Sequence, residues 1–325
     1  MNTNFYKKIR AQFLEETNFK LKQIFVYSTT RCNSRCKTCN IYKKEDESLS
    51  LEAIKSIIDF ASKRNDCIIY FEGGEFFLHP EYEKILEMAK NIEYCIISNG
   101  QFTKKIEDAI VKYGIKRIAF SLDGPRDTYK NVRGIDGFEN LMNTIEAIKD
   151  KTEIHIDSTI NPWNTYEDIK WVREFCNKNN FKHAIQPMYP INFFDNGNED
   201  VSEYLFDISD LLQNSSFIRN TSNYFEGKIY LPCLNVRETI LVYPNGDVPL
   251  CHMRDETILG NLNESTLDDI MLKTEIIENQ EQSLKCNKCW LNCQRIIDVK
   301  LFEFMEKKYT HAQLEKEFGN YKWPL

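Results

Sequence analysis

Residues 23–39 read Gln23-Ile24-Phe25-Val26-Tyr27-Ser28-Thr29-Thr30-Arg31-Cys32-Asn33-Ser34-Arg35-Cys36-Lys37-Thr38-Cys39. The run opens on β-branched and aromatic residues, a strand composition, and ends in three cysteines spaced C-x3-C-x2-C. Three thiolates within eight residues can wrap one cubane iron–sulfur cluster and leave its fourth iron without a protein ligand. An electron-transfer cluster takes four cysteines. An open iron marks a place where something else binds, so the motif points to catalysis.

Outward from this strand the same grammar repeats. Strand-like runs at 23–28, 67–72, 94–98, 117–121, 153–159 and 183–187 alternate with helical periodicity at 50–63, 81–90, 103–113, 137–149 and 166–179. Ser50 precedes Leu51-Glu52-Ala53 as an N-cap. Such alternation predicts a parallel sheet. Six units, not eight, predict an α/β fold built on a partial (β/α)6 TIM-like barrel. Turn composition at 192–197 marks a boundary, and 201–213 reads as a helix. Apolar runs at 239–242 and 248–251 flank Asn245-Gly246, a β-hairpin signal because both central residues tolerate positive φ. Helices at 295–307 and 312–318 close the chain. The predicted organisation is an N-terminal helical extension (1–22), the barrel (23–190), a linker with a helix (191–230), a small hairpin-plus-helix auxiliary domain (231–295) and C-terminal helices (296–325).

At 325 residues the chain can bury a large core, and 42% hydrophobic with 28% charged residues is a globular composition. The formal charge of −7 carries no basic stripe: Lys43-Lys44 is followed at once by Glu45-Asp46-Glu47. Nucleic acid is therefore not an expected partner. The first residues lack an apolar signal core, and no apolar run reaches membrane-spanning length. The expectation is a reducing cytoplasm and no membrane partner, where clustered cysteines are metal ligands or catalysts and not disulfides. Cys67, Cys95 and Cys176 stand apart and read as small buried hydrophobes.

Further motifs fall at successive strand ends: Glu72-Gly73-Gly74-Glu75, Ser98-Asn99-Gly100, and Ser121-Leu122-Asp123-Gly124-Pro125 with Arg133-Gly134 after it. Two glycines let backbone approach a ligand closely, and Glu75 can pair with an ammonium. Each element alone is a common turn. Together, in order, they resemble the radical S-adenosylmethionine (SAM) superfamily over residues 23–190. The resemblance implies a [4Fe–4S] cluster on Cys32, Cys36 and Cys39, with SAM chelating the open iron. It implies that Gly73, Gly74 and Glu75 meet the methionyl ammonium and that Ser98 and Asn99 lie near the ribose. Ser121 and Arg133 become candidates for the carboxylate, with Asp123 counted among the cofactor-binding residues. The residue before the third cysteine, often bulky in the family, is Thr38 here, a departure that bears on adenine packing. A zinc site, which prefers paired C-x2-C units and four ligands, fits the first motif less well.

Cys233 is followed after twelve residues by Gly246 and after four more by Cys251; Cys286-x2-Cys289-x3-Cys293 comes later. This resembles the SPASM/twitch extension of radical SAM enzymes over about residues 230–295, although two cysteines of the seven-cysteine SPASM pattern are missing. Five thiolates are too few for two fully ligated cubanes, so the expectation is one auxiliary [4Fe–4S] cluster of the twitch form. Cys233, Cys251, Cys286 and Cys289 are the first choice of ligands, leaving Cys293 spare. A structural four-cysteine zinc site fits the same spacing. His79 reads as the start of a helix; His252 could ligate or transfer a proton but reads as a structural histidine, and Trp163 and Phe193-Phe194 could line a substrate pocket but read as core.

By resemblance the chain is a radical SAM oxidoreductase, maturase or epimerase. SAM would be cleaved to a 5′-deoxyadenosyl radical that takes hydrogen from a substrate carbon. An auxiliary cluster that accepts the substrate electron would make the outcome oxidative. A spare thiol such as Cys293 that returns hydrogen would make it an epimerisation. The expected partners are a ribosomally made peptide or a small metabolite such as an aminosugar or nucleotide sugar, and a flavodoxin- or ferredoxin-type electron donor. About 22 residues precede the first strand, fewer than the winged-helix peptide-recognition domain of many peptide maturases, which keeps the metabolite open. The rivals from other classes are a non-catalytic iron–sulfur carrier or redox sensor and a zinc-stabilised binding module.

Overall fold

Alternate side chains along each strand meet different neighbours, and that alternation builds the fold. The computed structural model describes residues 3–197, 205, 206, 208, 210, 211 and 215–323. After α1 (Thr3–Glu16), strands β1 (Lys22–Tyr27), β2 (Cys67–Glu72), β3 (Tyr94–Ser98), β4 (Arg117–Ser121), β5 (Glu153–Ile160) and β6 (Lys182–Pro187) pair in parallel in sequential order. Between them run α2 (Leu51–Ser62), α3 (Tyr82–Ala89), α4 (Thr103–Tyr113), α5 (Arg126–Arg133), α6 (Phe138–Ile148) and α7 (Tyr166–Asn179). Ser50 caps α2 by accepting the Ala53 N–H at 3.2 Å, as its sequence predicts. Short helices α8 (Ser216–Arg219), α9 (Thr221–Phe225) and α10 (Asn235–Glu238) lead to β7 (Thr239–Val242). Strands β8 (Asp247–Pro249) and β9 (Ile258–Asn261) form a small antiparallel pair. Then come α11 (Leu267–Met271), α12 (Thr274–Ser283), α13 (Asn292–Glu306) and α14 (His311–Phe318).

Ile24, Val26, Ile69, Phe71, Ile96 and Phe120 point outward and join one core with the inner faces of the surrounding helices. Each such side chain contributes about 1.5–3 kcal/mol when withdrawn from water. The residues between them, among them Phe25, Tyr27, Tyr70 and Asp157, point inward and line one cavity together with Ala184 of β6. A single cavity walled from β1 to β6 means the sheet is curled into a half-barrel.

The hairpin expectation around Asn245-Gly246 is corrected in one respect. The turn forms: Gly246 has φ +89°, and the Tyr243 N–H donates to the Asp247 carbonyl at 2.9 Å. Yet β7 does not pair with the strand beyond that turn. It joins the main sheet as a seventh parallel strand on the free edge of β1, and β8 takes β9 as partner. All four β7 residues are buried, so both of its faces are covered, which a two-stranded hairpin alone cannot provide. The helix expected over 201–213 falls mostly outside the described residues. Among the described residues no helix is long and apolar enough to cross a membrane.

The first and last helices of the described residues meet. Tyr6, Ile9 and Phe13 of α1 share a second core with Phe302, Met305 and Leu314 of the closing helices, Phe13 packing edge-on to Phe304 at 5.2 Å. Glu238, buried at the start of β7, accepts from Tyr6 Oη at 2.5 Å and Arg10 Nε at 2.9 Å, with Lys22 Nζ 3.5 Å away. Burial pushes its carboxyl up, but Lys22 and Arg10 outweigh that and hold it below the ordinary 4.5. Its stabilising effect is therefore present above that value and lost as the pH falls through the lower folded one. Glu238→Ala should cost about 3 kcal/mol, the low end for breaking a buried pair, because Arg10 remains partly solvated. Urea unfolding at neutral pH checks this, and the gap between Glu238→Gln and the parent should close below the ordinary carboxyl value.

Candidate functional site

The cysteine loop leaves β1 and is fastened on three sides. The Gly74 N–H donates to the Thr29 carbonyl at 2.7 Å and the Glu75 N–H to that of Arg31 at 2.8 Å, which ties it to the end of β2. Asn99 Nδ2 donates to Asn33 Oδ1 at 2.7 Å and to Ser34 Oγ at 3.1 Å, which ties it to the end of β3. The Arg35 and Lys37 N–H groups donate to the Arg133 and Val132 carbonyls at 3.0 and 2.9 Å, which ties it to α5. Cys32, Cys36 and Cys39 then line one cavity of about 150 Å³. Cys36 lies near enough to influence the other two thiols, and burial pushes Cys32 and Cys39 up to about 12. A cationic centre there has to supply the charge that ionises them.

Gly73, Gly74, Ser98, Asn99, Ser121 and Arg133 line the same cavity. The glycines are required for a reason that sequence reading missed. Gly73 has φ +137°, and a Cβ on it would stand 2.5 Å from the Thr29 carbonyl oxygen; one on Gly74 would strike the Arg31 carbonyl. The clearance expected for a ligand is taken first by the chain's own cysteine loop.

Glu75 and Asp123 stand behind the wall. The Glu75 carboxylate, expected to meet an ammonium, turns toward β3. It accepts from Ser98 Oγ at 3.0 and 3.2 Å, from the Asn99 N–H at 2.8 Å and from the Phe77 N–H at 3.2 Å. Burial pushes it up to about 7 against those donors. Asp123 pairs with Arg133 Nη2 at 2.7 Å and accepts the Thr159 N–H at 2.7 Å, while Arg133 Nη1 reaches Cys36 Sγ at 3.9 Å. Asp123 thus aims Arg133 at the cysteine loop.

A second cavity of about 320 Å³ fills the barrel interior and shares Tyr27, Glu72, Ile97 and Phe194 with the first. Its far wall comes from the C-terminal region: His252, Leu291, Asn292, Cys293 and Ile296. Tyr27 Oη lies 2.6 Å from His252 Nε2, and Gln294 Nε2 lies 2.8 Å from His252 Nδ1. Both ring nitrogens are engaged, so His252 is a satisfied structural histidine, and burial lowers it to about 4. Sequence reading missed Tyr27, Glu72 and Asp157 as chamber residues. The available signal was polar side chains at alternate positions of apolar strands, as in Ile154-His155-Ile156-Asp157.

In the C-terminal region Cys286 lies near enough to act on both Cys251 and Cys289, and burial raises Cys251 to about 11 and Cys289 to about 12. Cys233 and Cys289 both act on Arg295, whose guanidinium is buried against Asp298 at 2.8 Å and donates to the Leu231 carbonyl at 2.8 Å. Cys293 alone of the five lines the chamber. Among the described residues no three His, Cys, Asp or Glu side chains converge closely enough to hold a single metal ion.

The family model of the radical SAM superfamily matches residues 26–176, and that of SPASM, an iron–sulfur cluster-binding domain, matches residues 233–293. The chain is a radical SAM protein with a C-terminal SPASM domain. It is similar to the cyclopropyl synthase TigE of Paramaledivibacter caminithermalis, 28% identical over 41% of this chain and 33% of that protein. It is also similar to the Fe-coproporphyrin III synthase of Methanosarcina barkeri, 28% identical over 40% of this chain and 34% of that one. The chain thus aligns with about a third of each. A probable GTP 3′,8-cyclase of Saccharolobus solfataricus is 24% identical over 81% of this chain and 91% of its own. Among solved structures, Streptococcus suis SuiB bound to its precursor peptide SuiA has a TM-score of 0.62 at 15% identity, covering 84% of this chain and 69% of SuiB. The structure of anSMEcpe with bound AdoMet has a TM-score of 0.60 at 18% identity, covering 92% and 99%. At these identities the likeness is one of fold.

A radical SAM protein is an enzyme that takes SAM and a [4Fe–4S] cluster, and its SPASM domain takes auxiliary iron–sulfur clusters. The donor set fits: soft thiols gathered on a short loop beside a backbone-lined cavity suit iron–sulfur chemistry. Because Gly74 leaves no room for a side chain beside Arg31, Gly74→Ala should displace the loop. The anaerobically reconstituted variant is expected to keep the parent's far-ultraviolet circular dichroism while losing about four irons per chain. Unchanged iron content would show that the loop tolerates the methyl group.

Proposed function

We propose that this chain is a radical SAM epimerase acting on a ribosomally made peptide, with Cys293 as the residue that returns hydrogen. Cys32, Cys36 and Cys39 would hold the catalytic cluster. The Gly73-Gly74 backbone, Ser98, Asn99, Ser121 and Arg133 would face SAM, while Glu75 and Asp123 hold those groups in position. Cys233, Cys251, Cys286 and Cys289 would hold one auxiliary [4Fe–4S] cluster. When bound, SAM and the catalytic cluster supply a 5′-deoxyadenosyl radical, which removes a hydrogen atom from a substrate carbon.

The observation that carries this reading is the position of Cys293. Its thiol lines the chamber that adjoins the catalytic cavity, 3.8 Å from His252 Nδ1. Burial keeps it protonated, with its pKa well above 9.0, the form a hydrogen-atom donor needs. Transfer from Sγ–H breaks the S–H bond and forms a new C–H bond on the substrate. The sulfur is then one electron short. One electron from a flavodoxin- or ferredoxin-type donor, together with a proton, restores the thiol. Enclosure by the barrel and its cap keeps the radical pair away from water. Peptide as the substrate class is supported by SuiB, which was solved with the peptide SuiA, and by anSMEcpe, solved with Cp18Cys peptide.

The test uses the anaerobically reconstituted enzyme with SAM, dithionite and candidate precursor peptides in D2O. The wild type is expected to form 5′-deoxyadenosine and leave one deuterium on the inverted carbon. Cys293→Ala should retain the wild-type iron content and still form 5′-deoxyadenosine, but give no inverted product. Loss of the auxiliary cluster in that variant would make Cys293 a ligand. A product lacking two hydrogens and carrying no deuterium would mark an oxidative enzyme instead.

A further inference from the structure

The barrel chamber carries an imbalance of charge. Glu72 at the end of β2 and Asp157 in β5 both line it, and none of the described residues around it is Lys or Arg. The cation that acts on Asp157 is Arg133, which is already committed to Asp123 at 2.7 Å. His155 is held by Glu153 at 3.0 Å, and both ring nitrogens of His252 are engaged. The Asp157 carboxylate has no hydrogen-bond or ion-pair partner among the described residues. Glu72 has the Tyr27 hydroxyl. Burial raises Glu72 to about 8 and Asp157 to about 7, as expected of carboxylates that lack a counter-charge.

The remaining walls suit an organic cation. Phe25 and Tyr70 stack with centroids 4.7 Å apart and planes at 8°, and both line the cavity beside Tyr27 and Phe194. Aromatic faces attract ammonium and guanidinium groups, more so when water is excluded. A buried carboxylate is costly unless it is paired. A metal ion is a poorer occupant, because no three ligating side chains converge among the described residues.

We propose that the chamber receives its substrate through a positively charged nitrogen, a primary ammonium or guanidinium held by Glu72 and Asp157 against the aromatic wall. This rests on reading the chamber as the substrate site. Two sources carry that chemistry: a basic side chain of a peptide, and the amine of an aminosugar.

The experiment is calorimetric titration of the anaerobic holoenzyme with SAM bound and no reductant, so that binding is read without turnover. Nα-acetyl-lysine N-methylamide is compared with its norleucine counterpart, and glucosamine with glucose. One cationic probe is expected to bind about tenfold more tightly than its neutral partner, as a charge-assisted contact predicts. Whichever probe it is identifies the source. Asp157→Asn should reduce that preference about tenfold and leave the neutral probe's affinity unchanged. Glu72→Gln should do the same, and because Glu72 also borders the catalytic cavity, SAM affinity is titrated in parallel. Equal binding of charged and neutral probes, or a preference that survives both substitutions, overturns the proposal. Failure of the loaded enzyme to form 5′-deoxyadenosine under dithionite would instead overturn the functional reading, and is measured separately.

Discussion

In a parallel sheet that has curled into a half-barrel, every strand has two faces with different obligations, and the rest of this molecule follows from them. The outward face must be apolar, because the helices that join parallel strands cover it. Ile24, Val26, Ile69 and Phe71 meet that demand. The inward face is relieved of it, because the half-barrel closes around a cavity and not a packed core. The backbones of β1 to β5 are paired on both sides and need no help from their side chains. The inner positions can therefore carry Tyr27, Glu72 and Asp157 without dissolving the sheet, and the ends of the same strands can turn into loops whose glycines let backbone press on backbone.

The loop that carries the first three cysteines depends on that pressing. Gly73 and Gly74 hold the Thr29–Arg31 backbone, Asn99 holds Asn33 and Ser34, and α5 holds Arg35 and Lys37. Three neighbouring elements thus set the position of thiols that have little regular structure of their own. Glu75 gathers the β2 and β3 ends from behind, and Asp123 does the same for Arg133. Both carboxylates support groups at the cavity without lining it. The cap is joined to the barrel by a polar contact, Tyr27 to His252 across 225 positions of sequence, so the SPASM region and the barrel wall share one hydrogen-bonded seam.

Much of this was legible beforehand. Strand boundaries at 67–72, 94–98 and 117–121 coincide with those observed, since a short apolar, β-branched run ended by glycine, asparagine or aspartate is a local signal. The cysteine spacing named the chemistry for the same reason. The roles of Glu75, Asp123 and β7 were not legible. Glu75 looks like a ligand group in the sequence, and only the proximity of Ser98 and Asn99 shows why it turns away from the cavity. The Asn-Gly turn was read correctly, but no local pattern says that the free edge of β1 outcompetes the strand just across that turn.

The sequence by itself determined the six successive strands of the half-barrel, where they would end to within a residue or so, and which side chains could bind iron, because propensity, spacing and turn conformation act over a few residues. Only the tertiary structure decided that Cys293 borders the chamber while Cys251, Cys286 and Cys289 gather elsewhere, and that Glu72 and Asp157 share an interior with no basic side chain among its described lining residues. Those outcomes depend on how far the sheet curls and on what covers its open edge. Both are set by the packing of surfaces far apart in the chain, where burial and charge are decided by whichever neighbour arrives.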